Sequence, residues 1–301
     1  MRAASDSANA TPVVRSQAPV EFAGTMPCGE APRAFLGGME PGANCHAITW
    51  RLTLGPAANG PASWTLTATY GVPPASNPNL MIDGPKVALK GTWIKATRRD
   101  APGMVYRLTS DARRTMSFVR ISDELVHVLD DDDRLMVGTA GWSYTLNRAD
   151  RMEQQGTPSL APDLSYTISP RGSGSAVFGV FEGRTPCVGI ARELKITPVA
   201  GCLKVKWRVT LFQNAQTSQP TNYKIEGTLH RARAREGNWR ILRGAGFEPS
   251  TIVYQLDATG TEAPLRLVVG GADFVLFFQA RDGRLLVGNA DFSYTLNRVG
   301  P

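Results

Sequence analysis

Apolar and polar residues alternate with a period of two along much of the chain, the pattern of strands with one buried face. Trp64-Thr65-Leu66-Thr67-Ala68-Thr69-Tyr70 alternates without a fault, placing Trp64, Leu66, Ala68 and Tyr70 on one side and three threonines on the other. Trp50, Leu52 and Leu54 keep the same period, as do Trp142, Tyr144 and Leu146, so their aromatic faces are predicted to meet in one core. Asp282-Gly283 and the run Asp130-Asp131-Asp132-Asp133 separate adjacent apolar segments and predict hairpin turns. No convincing amphipathic helix stands out.

The pattern occurs twice. Residues 134–148 read RLMVGTAGWSYTLNR and residues 284–298 read RLLVGNADFSYTLNR, with 11 identities in 15 positions, where composition alone gives about one. Upstream, Val105-Tyr106-Arg107-Leu108 pairs with Val253-Tyr254-Gln255-Leu256, and Gly91-Thr92-Trp93 with Gly237-Asn238-Trp239. Trp50-Arg51-Leu52-Thr53-Leu54 pairs with Trp207-Arg208-Val209-Thr210-Leu211, and the stretch from Phe22 to Cys28 with that from Phe181 to Cys187. The chain is therefore read as a tandem duplication, with a leader over 1–19, a first repeat over 20–150, a Pro/Ser/Gly linker over 151–176 and a second repeat over 177–301. Seven or eight strands in each repeat predict an all-β protein of two small antiparallel barrels. Closure is preferred to an open sandwich because it removes exposed edge strands.

Four cysteines fall as equivalent pairs, Cys28 with Cys45 and Cys187 with Cys202, separated by 17 and 15 positions. An intradomain disulfide in each repeat is the simplest account, and it points to an oxidising, extracytoplasmic compartment. The alternative is a soft-metal site for Cu(I) using thiolates and the nearby Met26. Against it, Met26 becomes Thr185 in the second repeat.

The net charge of +7 comes with arginines scattered among acidic residues, and no basic stripe with interleaved aromatics suggests nucleic acid. Residues 1–19 lack the apolar core of a signal peptide, so export would require a signal trimmed from the natural precursor, and a lipid anchor would have gone with it.

Gly24/Pro27/Cys28, Gly91/Trp93 and Tyr144/Leu146/Arg148, repeated as Gly183/Pro186/Cys187, Gly237/Trp239 and Tyr294/Leu296/Arg298, resemble the N-terminal domain of the copper-resistance lipoprotein NlpE family. The resemblance covers about four-fifths of the chain. It implies a lipocalin-like barrel, exported to the periplasm or outer membrane and often lipid-anchored, that takes part in envelope stress sensing and copper handling with an envelope protein as partner. The family's Cys-x-x-Cys is missing, because Ala31 and Ile190 stand three positions after Cys28 and Cys187. Its copper ligands therefore do not carry over.

Candidate chemistry is thin. His46, His127 and His230 have no histidine counterpart in the other repeat, since His46 aligns with Leu203 and His127 with Phe277. That argues against an enzyme built on a nucleophile and a histidine base. Asp130 to Asp133 read as a hairpin tip rather than a calcium loop, given Ala280-Arg281-Asp282-Gly283 in the other copy. Arg148 and Arg298 read as structural, forking onto carbonyls or a carboxylate at the barrel mouth. The expectation is a non-enzymatic exported protein without a cofactor, acting in envelope maintenance or as a binding module. Its alternatives are a carrier of a small apolar ligand inside a barrel and a copper-binding protein.

Overall fold

A computed structural model describes residues 18–153 and 176–301, apart from 38, 40–42, 57–60, 73–83, 99–102, 198–200, 231–233 and 273. Of the predicted leader over 1–19, residues 1–17 lie outside the described residues, as do residues 154–175 of the predicted linker over 151–176.

The first repeat runs β1 (Val20–Pro27), α1 (Glu30–Leu36), β2 (Ala47–Leu54), β3 (Ala62–Gly71), β4 (Lys86–Thr97), β5 (Met104–Ser110), β6 (Thr115–Arg120), β7 (Leu125–Leu129) and β8 (Thr145–Arg148). The second runs β9 (Ala176–Thr185), α2 (Cys187–Leu194), β10 (Val205–Gln213), β11 (Pro220–Gly227), β12 (Arg235–Arg243), β13 (Ile252–Leu256), β14 (Leu265–Gly270), β15 (Val275–Gln279) and β16 (Thr295–Gly300). Each repeat is a closed, eight-stranded antiparallel barrel of sequential hairpins, as the alternation predicts. Closure is made by the first strand, which pairs on one side with the second and on the other with the eighth: Phe22 lies opposite both Leu52 and Arg148, and Glu182 opposite both Arg208 and Asn297. Glycine permits that approach in both copies. A Cβ on Gly24 would stand 3.1 Å from the Thr145 carbonyl, and one on Gly183 2.6 Å from that of Thr295.

The inward faces are those the sequence marks. Trp50, Leu52, Leu54, Trp64, Leu66, Ala68 and Tyr70 are all buried in the first core; Trp207, Val209, Leu211, Tyr223 and Ile225 are buried in the second. The hairpins at 130–134 and 280–284 are tight, closed by Asp130 N–H to Arg134 O and by Ala280 N–H to Arg284 O. Asp133 and Gly283 hold the same left-handed position, φ 59° and 91°.

Two expectations change. Each barrel does contain a short helix, starting at or just after its first cysteine. In α2 the buried residues Cys187, Ile190, Ala191 and Leu194 follow the i, i+3, i+4, i+7 rule, over only two turns. In α1, Phe35 enters the barrel and packs on Trp50 and Trp64, with ring centroids 6.1 and 5.7 Å apart, so this end of the barrel is filled by side chains. The second change is Trp142: it precedes β8 in irregular chain and is half-buried, and its ring carries the Arg184 guanidinium of the other barrel at 5.4 Å. The strand alternation therefore begins only after Trp142.

The barrels face each other through equivalent surfaces. A third apolar cluster draws Val105, Val119, Leu125, Leu129 and Leu135 from the first and Val253, Val268, Val275, Phe277 and Leu285 from the second. The polar contacts are reciprocal. Ser143 meets its counterpart Ser293 at 2.7 Å, and Thr295 donates to its counterpart Thr145 at 3.1 Å. The Asn147 amide accepts from Gly288 N–H and donates to Asn289 O, while Asn297 accepts from Gly138 N–H and donates to Thr139 O. Residue i touching j while the equivalent of j touches the equivalent of i is the contact pattern of a twofold-symmetric dimer, here within one chain.

Candidate functional site

Both predicted disulfides are formed: Cys28–Cys45 with Cα atoms 5.8 Å apart and Cys187–Cys202 with 5.9 Å. Each ties the start of a helix to the segment leading into the second strand of its barrel. All four cysteines are thereby used.

The three histidines are far from one another in role. His46 is exposed in the loop before β2. His127 is fully buried between the barrels; its Nε2–H donates to Met136 O and its Nδ1 accepts from Thr145, both at 2.8 Å. Thr295 donates to Thr145 in turn, which gives a continuous donor chain for a neutral imidazole. Burial lowers the His127 pKa to about 4. His230 stands 3.7 Å from Glu262, whose other oxygen pairs with buried Arg235 at 3.0 Å. Burial lowers the His230 pKa, an effect that Glu262 opposes and Arg235 reinforces. Arg235 also donates to Tyr223 Oη and to the carbonyls of Asp257 and Ala263. The alternation pattern does not predict this network inside the second barrel. Its one signal is Arg235, an arginine on the inward face where the register puts Leu89 in the first copy.

Asp130 accepts from the amides of Asp132 and Arg134 and, with Asp132, pairs with the Arg134 side chain. These carboxylates are committed to their own turn. Arg148 forks onto Asp150 at 2.7 and 3.2 Å. Arg298 donates to the carbonyls of Gly300 and Phe178. A structural fork at the mouth is thus present in both copies.

The mouths opposite the helices differ. In the second barrel Phe178, Trp239 and Tyr254 form a mutually packed triad, with centroids 5.1 to 5.7 Å apart, and Arg298 lies over Phe178 at 5.6 Å. In the first barrel the equivalent pair Trp93 and Tyr106 packs at 5.2 Å with planes at 74°. The third ring is missing, because Pro19 holds the position of Phe178. A cavity of about 540 Å³ opens there, floored by Phe22, Leu54, Trp93, Met104 and Tyr106 and rimmed by Lys95, Arg120, Asp123 and Arg148. A larger cleft of about 840 Å³ lies between the barrels beside α2, with acidic and basic residues mixed along its walls. Glu153 occupies part of it, accepting from Gly189 N–H at 3.0 Å and from Tyr294 Oη.

Up-and-down barrels of eight strands that hold a small ligand at one open end define a general class of binding protein. Comparison with protein-family models, curated proteins and solved structures finds no match to this chain.

Proposed function

We propose that this is a non-enzymatic, extracytoplasmic binding module whose first barrel takes a small apolar ligand at its mouth. The observation that carries the reading is the asymmetry between the copies: the ring triad packed at the second mouth lacks its third member in the first. The cavity left is within the size range of small-molecule sites, and it has an apolar floor and a polar rim. Two disulfides support an oxidising compartment. Among the described residues no helix is long and apolar enough to cross a membrane. A role in envelope stress sensing or maintenance, with or without a lipid anchor, rests on the motifs shared with the NlpE family. The copper alternative has less support, because every cysteine sulfur sits in an S–S bond.

The test is a titration of the protein with hydrophobic dyes and lipids, read by tryptophan fluorescence and calorimetry. Saturable binding is expected in the native chain, and its loss in Pro19→Phe, which supplies the missing ring. No binding across a broad panel removes the reading.

A further inference from the structure

We propose that the ligand of the first mouth is a single-chain anionic amphiphile, its tail against Phe22, Trp93 and Met104 and its head group against Lys95, Arg120 and the Tyr106 hydroxyl. This rests on the reading that the mouth is a ligand site, and it adds the chemical class.

The rim carries three cations, Lys95, Arg120 and Arg148, against one carboxylate, Asp123. Arg148 is held by Asp150 and Arg120 pairs with Asp123; Lys95 has no carboxylate partner among the described residues. The Arg120–Asp123 pair is solvent-exposed, with Asp123 74% accessible, so it is weak and readily exchanged for a ligand's charge. Burial raises the Tyr106 pKa, with Arg120 opposing it, and leaves a neutral hydroxyl able to donate to an anionic head. A cationic head would meet net repulsion at this rim, and an uncharged one would gain at most a hydrogen bond, without charge attraction, from Lys95. The helix end of the barrel is packed with Phe35, Trp50 and Trp64, which stops a tail from threading through. The cavity of about 540 Å³ suits one short acyl chain rather than two.

The experiment compares dodecanoate, dodecanol and dodecyltrimethylammonium, each below its micelle concentration, with vesicles containing phosphatidylglycerol. Calorimetry is run on the native chain and on Lys95→Gln with Arg120→Gln. Dodecanoate is expected to bind about tenfold tighter than dodecanol at physiological salt, with the cationic chain weakest. The double variant is expected to erase the difference while keeping dodecanol affinity, as the loss of two exposed charge contacts implies. Equal binding of all three surfactants overturns the anionic assignment but leaves the ligand site standing. Binding to none of them overturns both readings. Binding to vesicles without binding to monomeric dodecanoate overturns the proposal in favour of a membrane-surface contact.

Discussion

His127 and Phe277 occupy equivalent positions of the two repeats and pack on each other edge to face, ring centroids 5.8 Å apart and planes at 87°. The pseudo-twofold relation between the barrels passes through this pair, so the one titratable ring at the centre is matched by an apolar one. Two histidines here would double the buried polar load, and two phenylalanines would leave the Thr145–Thr295 chain without its acceptor.

The interface should respond to pH through two opposing groups. His127 titrates near 4 when folded and near 6.5 when unfolded, so its contribution is full above pH 6.5 and is lost as pH falls toward 4. Asp291, in the second barrel's interface loop, is raised by burial to about 6 from 3.8 and acts the other way, favouring the fold as pH falls through 6. In Asp291→Asn, stability measured by urea unfolding should drop by about 2–3 kcal/mol between pH 7 and 4.5 from the His127 contribution. In His127→Phe the same interval should show a gain of about 2 kcal/mol from Asp291. Equal pH slopes in the two variants would contradict the assignment.

Asn147 and Asn297 clamp each barrel to the other's loop. Changing both to Leu leaves the amides of Gly288 and Gly138 unsatisfied, each at a cost of about 1–3 kcal/mol. Calorimetry is expected to resolve two barrel transitions in that variant and a single coupled one in the native chain.

Trp207 donates to Thr185 at 2.8 Å inside the second barrel. In the first, Met26 stands at the equivalent position, and Trp50 Nε1 is buried without a partner among the described residues. Thr185→Val should therefore destabilise the second barrel by about 1–3 kcal/mol with little change of volume, while Thr185→Ser should retain most of the stability. Equal losses in the two variants would point to packing as the cause.

Reducing the disulfides should cost about 3 kcal/mol for each barrel, since each closes a loop of similar length. Cys28→Ser with Cys45→Ser should reproduce about half of that combined loss, read as a lower urea midpoint of the coupled transition.

Phe178→Ala should unstopper the second mouth. If the triad is what excludes ligand there, the binding stoichiometry of dodecanoate should rise from one to two. An unchanged stoichiometry would assign the difference between mouths to something other than this ring.

How far the sequence reaches is clear from particular residues. The inward face of β3 is readable because each alternate position is either large and apolar or a threonine. The cysteine pairing is readable because duplication repeats it. Helix α2 was legible in principle from Cys187, Ile190, Ala191 and Leu194, but two turns lie below the length at which a helical period stands out from strands. Trp142 misled because alternation in sequence implies alternation in space only while the backbone stays extended.

The chain's own pattern determines the duplication, the strand-built class and the two sulfur bridges, since periodicity, repetition and loop length are local quantities. Which surfaces the barrels turn to each other, that His127 meets its own counterpart, and that among the described residues a third ring packs at one mouth and not at the other were decided by the tertiary structure. Those properties come from residues far apart in sequence: Pro19 matters only because Trp93 and Tyr106 come to stand across the mouth from it, and no pattern along the chain records that distance.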